Sequence, residues 1–502
     1  MPKLVMPGTP VPTLAFVALA ALTLVRLVVA ATVPLSPDET YYWVWSRALA
    51  AGYLDHPPMV ALWIRAGTSL TGRAFAGGAL GIRLLAPLSV ALGSWLLWDA
   101  AERLLPGRRA GPIATGLLNA TLLLGVGAVT MTPDTPLLFF WVCTLWALSR
   151  VCPAHIEDVA GASAGTWWLA VGLFAGLAFD SKYTAGFLVL GIALWLLVAG
   201  RVWLARPWPW LGLMVGLLVM APVLAWNAAH GWASFAKQGG RVDAWRPARA
   251  MQFLGELAGS QFGLATPLVL VLCIAGLVLA CRLAWRGCAP AWTLLVALSL
   301  PAAAVFIEHA FADRVQGNWP AIIYPAAAIA AAGLQAPAWR RLYRPAVLLG
   351  LGITGVVYLQ AATALLPVPI RFDPSALQLA GWPGLATQVE AARQRAGASF
   401  VAADQYGVAS ELAYRLAGNA PVLGTEARWR MFDLPAAPLD GQVGILVQSA
   451  RREALSGNGP WQARDLIGTA ARQRDGQTVE TYRLYRVVGS SSMPDATMLP
   501  RR

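Results

Sequence analysis

Residues 36–59 contain two polar clusters whose side chains are suited to acid–base chemistry. The first cluster is the pair Asp38 and Glu39, and the second is the tetrapeptide DHPP at 55–58. A carboxylate within hydrogen-bonding distance of a hydroxyl can take its proton while that oxygen attacks an electrophile. A group of aromatic residues lies between the clusters: Tyr41, Tyr42, Trp43 and Trp45. Because a simple connection between two helices needs none of these groups, the stretch is predicted to form the floor of an active site.

The same stretch also fits a purely structural interpretation. Ser36, Pro37 and Glu39 have the spacing of a capping box, with Ser36 as N-cap and proline at the first helical position. Carboxylates in a first helical turn are favoured by the helix dipole, and aromatic side chains beside a membrane span form an interfacial belt. Since a cap also holds a carboxylate in a fixed place, the residues alone leave both interpretations open.

Asp134 and Lys182 are further candidates, each close to the end of an apolar run. Asp134 is either a functional carboxylate or part of a helix start capped by Thr132. Lys182 stands out in a chain whose basic residues are mostly arginines, and a compact ammonium suits a phosphate as a point charge. The alternative for Lys182 is a side chain that reaches towards the membrane interface, paired with Asp180.

Arg83 and His230 have weaker signals. Arg83 begins an apolar run, where it could contact a phosphate or simply lie at the membrane interface. His230 lies in the segment WNAAHGW at 226–232, whose tryptophans an aromatic belt explains better than it explains the histidine. Asp55, His230 and His309 have the residue types of a zinc site, but the sequence gives no distances between them.

The composition is that of a polytopic membrane protein. Of its 502 residues, 57% are hydrophobic and only 13% are charged, where a soluble protein has about 25% charged residues. The mean hydropathy is +0.57. The net charge of +13 comes almost entirely from arginines in short connections between apolar runs, which indicates membrane topology and anionic lipid and not nucleic acid. The five cysteines include no CxxC pair, so disulfides and thiolate metal sites are not expected on the outer face.

About eleven apolar runs are predicted to be membrane spans, each of roughly 20 residues. They lie near 11–33, 80–101, 110–128, 135–151, 166–179, 184–200, 209–226, 262–281, 290–307, 320–337 and 345–366. Arginines follow alternate runs, which places that side in the cytoplasm. The N-terminus is therefore predicted inside, with the first run as an uncleaved anchor, and the C-terminus outside. The first outer loop, 34–79, and the other polar connections then gather at one outer face.

The composition changes after the last apolar run. Residues 367–489 are predicted to form a small α/β domain outside the membrane, with strands at 398–402, 443–447 and 478–488 and a helix at 406–416. Residues 490–502 are polar and are predicted to be a disordered tail. No internal repeat is visible, which counts against a transporter built from paired halves.

The acidic pair and the DHPP element resemble the first extracytoplasmic loop of membrane glycosyltransferases that use polyprenyl-phosphate-linked sugars. These are the bacterial relatives of protein O-mannosyltransferases and of lipid A aminoarabinose transferases. Other segments also look like this family: Asp134 before PLLFF, Lys182, WNAAHGW at 226–232, GNWP at 317–320, and 403–414. The last of these fits either the acceptor side of a site or a structural turn. The aminoarabinose enzymes carry Glu-Lys where this chain has Asp55 and His56, which argues against the same sugar but not against the same chemistry.

The resemblance implies an all-α polytopic membrane protein of the GT-C type with a small C-terminal extracytoplasmic α/β domain. It implies an inverting glycosyltransferase that moves a sugar from a polyprenyl phosphate, such as undecaprenyl phosphate, to a hydroxyl acceptor at the outer face of the bacterial plasma membrane. Lipid A, a polysaccharide and a protein are all open as acceptors. A transporter or flippase for a lipid-linked or amphiphilic substrate is the alternative, and it predicts charges in mid-span.

The resemblance also implies roles for individual residues. Asp38 is predicted as the base, and Asp134 as the second catalytic carboxylate. Substrate binding is assigned to Glu39, Tyr41, Tyr42, Asp55, His56, Arg83, Lys182 and His230. No cofactor is assigned, and a divalent metal at Asp55, His230 and His309 is left open.

Overall fold

The computed structural model describes residues 13–72, 78–152, 165–239, 247–287, 289–416, 418–437, 439–453, 460–490 and 496–500. The chain is mainly helical and ends in a six-stranded sheet. This confirms the predicted class of a helical membrane protein with a small C-terminal α/β part. Residues 73–77 of the first outer loop lie outside the described residues.

The described part of the chain before the C-terminal sheet consists mainly of successive α-helices. They are α1 Thr13–Thr32, α2 Pro37–Arg47, α3 Met59–Leu70, α4 Ala79–Arg83, α5 Leu85–Leu104, α6 Ala110–Asn119, α7 Leu122–Gly127, α8 Asp134–Val151, α9 Trp167–Phe179, α10 Gly186–Val198, α11 Arg201–Leu204, α12 Pro207–Ala229, α13 Ala233–Gly239, α14 Ala250–Leu264, α15 Pro267–Trp285, α16 Pro290–Ala297, α17 Leu300–His309, α18 Tyr324–Ala332, α19 Pro337–Arg340 and α20 Tyr343–Thr363.

Every apolar run predicted from the sequence coincides with one helix or with consecutive helices. Within the described ranges, six helical segments are long and apolar enough to cross a membrane. They are Leu14–Thr32, Ala79–Leu104, Pro207–Ala229, Pro267–Trp285, Pro290–His309 and Pro337–Thr363. The remaining runs form shorter or interrupted helices, so these criteria support a polytopic protein but do not confirm the predicted number of spans.

Helix α2 positions the first polar cluster, and its start is the predicted capping box. The Glu39 amide donates to Ser36 Oγ at 3.4 Å, and the Ser36 amide donates to Glu39 Oε2 at 3.0 Å. Pro37 occupies the first helical position, where its missing N–H is not needed. The predicted cap is confirmed, and it holds the adjacent Asp38 in the first turn of the helix.

In the C-terminal part, the described residues form three further α-helices and the six strands. They are α21 Pro374–Leu379, α22 Trp382–Arg395, α23 Tyr406–Arg415, β1 Phe400–Ala403, β2 Val422–Gly424, β3 Val443–Ser449, β4 Ala463–Arg474, β5 Gln477–Val488 and β6 Thr497–Met498. The strand order is β4-β5-β3-β1-β2-β6. Strands β1, β2 and β3 are parallel, while the outer pairs are antiparallel.

Three predicted strands and the predicted helix are confirmed as β1, β3, β5 and α23. The prediction of a disordered tail is wrong for residues 496–500, because β6 in this segment pairs with β2. Strand β4 had no clear signal, because five consecutive residues of this edge strand are exposed and the apolar-polar alternation is lost.

The C-terminal part and the first outer loop share one apolar core. Residues of α2, including Trp43 and Trp45, belong to the same buried cluster as residues of α22, α23 and the sheet. The rings of Trp43 and Tyr414 meet edge to face, with centroids 5.2 Å apart. A Cβ on Gly407 would lie 2.9 Å from Pro37 Cβ, so the starts of α2 and α23 approach too closely for a larger residue there. The two parts are therefore packed together, and α23 lies directly beside the first polar cluster.

Candidate active site

A cavity of about 850 Å³ lies between the first outer loop, the outer ends of several helices and the C-terminal part. Its lining combines two kinds of side chain. The carboxylates of Asp38, Asp55 and Asp134 line it. Apolar side chains of the helices also line it, among them Leu118, Leu124, Leu138, Phe139, Val142 and Phe187. One space thus combines charged and apolar groups.

Asp38 faces the cavity from the first turn of α2 and is partly open to it. Tyr406 Oη donates a hydrogen bond to Asp38 Oδ1 at 3.0 Å. No described residue donates to Oδ2. The surrounding protein desolvates the carboxylate and raises its pKa, and the nearby charges of Glu39 and Asp55 act in the same direction. The hydrogen bond from Tyr406 acts against this rise and favours the ionised form.

Asp55 is held by cations and a phenol on both of its oxygens. Tyr41 Oη donates to Oδ2 at 2.8 Å, Arg428 lies 3.0 Å from the same oxygen, and Lys237 forms an ion pair with Oδ1. Burial alone would raise the pKa of Asp55, but Arg428 and Lys237 hold it below its ordinary value. Asp55 is therefore an ionised carboxylate without a free oxygen.

Asp134 and Lys182 form an ion pair within the cavity. Lys182 Nζ lies 2.7 Å from Asp134 Oδ1, and Asn318 Nδ2 donates to Asp134 Oδ2 at 2.7 Å. Asp134 begins α8, Lys182 precedes the short 3-10 helix Tyr183–Ala185, and Asn318 precedes another, Trp319–Ile323. The expected alternative pairing of Lys182 with Asp180 is not formed. Three distant segments thus place one ammonium, held by a carboxylate, beside the cavity.

Comparisons with known proteins agree with this architecture. The family described as dolichyl-phosphate-mannose-protein mannosyltransferase matches residues 55–226. The lipid A galacturonosyltransferase RgtD of Rhizobium johnstonii is 27% identical over 435 residues, which are 82% of this chain and 86% of that protein. The crystal structure of ArnT from Cupriavidus metallidurans bound to undecaprenyl phosphate has a TM-score of 0.60 at 17% identity, covering 96% of this chain and 99% of that one. The apo form of ArnT gives the same score and identity, with 94% and 97% covered.

The chain is a membrane glycosyltransferase that shares the fold of ArnT. The family resemblance predicted from the first outer loop is thereby confirmed. The relatives and the apolar helices make it a multi-pass protein of the bacterial inner membrane. None of the relatives named here is a transporter.

Two predicted substrate-binding residues of the glycosyltransferase lie outside its cavity and pair with each other. Arg83 is 1% exposed and Glu39 is 0% exposed, and the two side chains form a two-pronged ion pair with both distances 2.6 Å. The remaining donors of Arg83 bind the carbonyl oxygens of Ala30, Val33 and Pro34. All five guanidinium protons are used inside the protein, and neither Arg83 nor Glu39 lines the cavity.

The structure also places His230 away from the cavity lining. Its ring is exposed and stacks on Trp226 with centroids 4.0 Å apart. The Trp226 indole in turn lies so close to Gly52 that a Cβ there would be 2.8 Å from it. His230 is therefore associated with the support of the first loop and not with the cavity lining.

The metal site left open by the sequence is not assembled. Asp55 and His309 line the cavity, whereas His230 does not. Among the described residues there is no group of three or more His, Cys, Asp or Glu side chains that could hold a metal ion. The structure thus does not bring these three residues together.

The remaining predicted residues are brought to the cavity. Tyr42 and His56 line it, and Tyr41 lines it while its hydroxyl binds Asp55. Tyr41 and Tyr42 are more buried than His56, and desolvation is the largest cause of their raised pKa values. The three residues form an aromatic wall of the cavity.

Sequence analysis did not single out Arg428 or Lys237, and it left the segment 403–414, which contains Tyr406, open between the acceptor side of the site and a structural turn. Arg428 lies in the 3-10 helix Ala427–Met431, and its guanidinium lies over the Tyr406 ring at 4.2 Å and the Tyr41 ring at 5.5 Å. No local pattern marks Arg428 among the many arginines. Lys237 did have a signal, since it is one of three lysines in the whole chain, but this signal was not used.

Proposed function

We propose that this glycosyltransferase moves a sugar from a polyprenyl phosphate to a hydroxyl of lipid A at the outer face of the inner membrane. The observation that carries the proposal is that charged side chains and apolar side chains of the helices line one cavity. A polyprenyl-phosphate sugar has both kinds of group, an anionic head and a long apolar chain. The apolar side chains are suited to the chain, and the charged ones to the phosphate and sugar.

The relatives support the two substrates separately. ArnT from Cupriavidus metallidurans shares the fold along nearly the whole chain, and its structure holds undecaprenyl phosphate. RgtD of Rhizobium johnstonii is a lipid A galacturonosyltransferase. Polysaccharide and protein hydroxyls are the other acceptors consistent with the resemblance, and they become outcomes of the test below.

Asp38 is the proposed general base. The three carboxylates in the cavity differ in what their oxygens already bind. Asp55 and Asp134 each have both oxygens engaged by described side chains. Asp38 has one oxygen bound by Tyr406, which leaves Oδ2 to take a proton from the acceptor hydroxyl.

Lys182 is the proposed partner of the donor phosphate. As the sugar leaves, negative charge develops on the lipid phosphate, and a fixed cation stabilises it. Asp134 binds Lys182 and is itself held by Asn318, so Lys182 is oriented before the donor arrives. Asp134 is therefore assigned a positioning role and not proton transfer. His56 lies at the same cavity and is a second group that can donate to the phosphate.

A single displacement would invert the configuration at the anomeric carbon, through a transition state with oxocarbenium character as in glycosidases. Water must be excluded, since it would hydrolyse the donor. Tyr41 and Tyr42 are buried residues of the cavity lining and are suited to this exclusion.

The proposed topology has eleven spans, an inner N-terminus and an outer C-terminus. Its support is that Asp38 and Lys182, from distant connections, line one cavity, as the predicted outer face requires. Labelling of single cysteines introduced at positions beside these two residues should modify both from the periplasm. Labelling from opposite sides of the membrane would exclude this topology.

The direct test is transfer in vitro. Purified protein is incubated with a radiolabelled polyprenyl-phosphate sugar and lipid A, and the label is followed in the acceptor. Label in lipid A with the wild type, and its loss with Asp38→Asn, is the expected result. Label only in polysaccharide or protein acceptors of a membrane extract would replace lipid A, and no label in any acceptor would contradict the proposed function.

A further inference from the structure

The C-terminal part presents one edge of its sheet to the cavity. Parallel strands β1 and β2 both end at this edge, where ligand-facing loops of α/β sheets commonly lie. Tyr406 comes shortly after β1, and Arg428 shortly after β2. Both side chains line the cavity described above. The sheet therefore brings two residues from beyond the membrane helices to the proposed base.

We propose that Tyr406 is a positioning residue for Asp38, so that the catalytic site is complete only when the C-terminal part is docked on the first outer loop. This inference rests on the proposed function, in which Asp38 is the base. It assigns to the C-terminal part a role in the chemical step, in addition to its packing.

The position of Tyr406 is fixed from several sides. Its ring centroid lies 4.6 Å from that of Tyr41, and the Arg428 guanidinium lies over it at 4.2 Å. Arg428 is in turn tied to Asp55 at 3.0 Å. The next residue, Gly407, approaches Pro37 of α2 closely. Tyr406 is therefore delivered to Asp38 by a packed interface and not by a free loop.

The hydrogen bond selects which oxygen of Asp38 faces the substrate. Tyr406 Oη occupies Oδ1 and leaves Oδ2 without a donor among the described residues. A carboxylate held at one oxygen cannot rotate freely, so its other oxygen keeps one direction towards the cavity. The phenol also stabilises the ionised carboxylate, which is the form that accepts a proton.

The groups that act on Asp38 come from three elements. Glu39 of α2 and Asp55 of the first loop raise its pKa, as does desolvation, which is the largest cause. Tyr406 and Arg428 of the C-terminal part lower it. Removal of the Tyr406 hydroxyl should therefore raise the pKa of Asp38, and more of the base would be protonated at a given pH.

The test compares Tyr406→Phe with the wild type in transfer assays across a pH series. The variant keeps the ring that contacts Tyr41 and Arg428 and loses only the hydroxyl. We expect kcat to fall about 10- to 100-fold, the range for a hydrogen bond to a charged group. The KM for the donor should stay unchanged, and the acid limb of the rate profile should move to higher pH.

Tyr485→Phe is the matched control, since it removes the hydroxyl of a largely buried tyrosine in the same sheet, in β5, that does not line the cavity. It should leave the rate and the pH profile unchanged. An equal loss of rate in both variants, or a Tyr406→Phe loss without movement of the acid limb, would reduce Tyr406 to a structural residue. A Tyr406→Phe enzyme with wild-type kcat would overturn the proposal outright.

An infrared titration of the Asp38 carboxylate separates this inference from the proposed function. The Asp38 band is identified by difference against Asp38→Asn, and it needs no turnover. The Asp38 titration should move to higher pH in Tyr406→Phe. An unmoved titration overturns the positioning role even if transfer is confirmed, whereas a moved titration with a wild type that transfers no sugar rejects only the proposed function.

Discussion

Lys182 Nζ and Asp134 Oδ1 lie 2.7 Å apart, although 48 residues separate them along the chain. The pair joins the chain after α9 to the start of α8, and Asn318 binds the other oxygen of Asp134. A cation held in this way is preorganised, because its orientation is set before a substrate arrives. Since the ammonium also lines the cavity, the pair can exchange part of its contact with Asp134 for an anion.

Substitution of Lys182 by alanine should weaken donor use through the phosphate. A hydrogen bond to a charged group contributes about 1.5–3 kcal/mol, so the KM for the donor should rise about 10- to 100-fold. Binding of polyprenyl phosphate to the purified protein should weaken, while binding of the uncharged polyprenol should not change. Lys182→Arg keeps the charge and should lose less. An effect confined to acceptor affinity would contradict the assignment of Lys182 to the phosphate.

Asp38→Asn should abolish transfer while the protein still inserts and folds. The amide oxygen can still accept from Tyr406, but the side chain can no longer take a proton, which removes the about 10²- to 10⁴-fold contribution of a general base. Desolvation raises the pKa of Asp38. As the pH is lowered, the wild-type rate should therefore begin to fall before the pH reaches the ordinary aspartate pKa of about 3.9. Undiminished transfer by Asp38→Asn in vitro would exclude Asp38 as the base.

The Glu39–Arg83 pair should determine stability and not donor affinity. Removal of one partner leaves a buried charge without compensation, which typically costs about 3–5 kcal/mol. Arg83→Met should therefore lower the thermal unfolding temperature in detergent and the yield of folded protein. The same loss is expected for Glu39→Gln, which also weakens the cap at Ser36. A stable Arg83→Met protein with only a raised donor KM would instead support binding of the donor phosphate by Arg83.

Much of the fold could be predicted, because local patterns encode it. The capping box at Ser36 is a short-range signal with a defined geometry, and the structure forms it. Strand β3 is a continuous apolar run and was recognised for that reason. Strand β4 was not, because its exposed residues carry no alternation. Strand β6 has only two residues and depends on a partner, β2, far away in the sequence.

The site residues that were predicted from the sequence carry local signals. Asp38, Asp55 and His56 lie in one stretch, and all three line the cavity. Arg83 could not be distinguished from a substrate ligand, because its role depends on a buried pair 44 residues away in the chain. Arg428 was beyond local analysis for the same reason, since it reaches Asp55 across 373 residues. The pairing of Arg428 with Asp55 follows from docking of the C-terminal part, which leaves no signal at either residue alone.

The pH dependence of that docking can be examined at Glu411. This carboxyl is fully buried in α23, beside α2, with Arg415 at 2.8 Å. Burial raises its pKa to about 7 from an ordinary 4.5, despite the opposing charge of Arg415. Between pH 4.5 and about 7, the folded protein therefore holds a proton at Glu411 that the unfolded chain releases. The stability from this group is complete below pH 4.5 and is lost as the pH rises through 7.

The unfolding temperature of the wild type should therefore decline between pH 5 and 8. Glu411→Gln keeps the shape of the protonated acid and cannot ionise, so its unfolding temperature should depend less on pH over that interval. Glu390→Gln on α22 is the control, because the pKa of Glu390 is lowered by its hydrogen bond to Arg393 and this group does not ionise over that range. If the unfolding temperatures of the wild type and Glu411→Gln depend on pH in the same way, the proposed difference in Glu411 protonation between the folded and unfolded states is wrong.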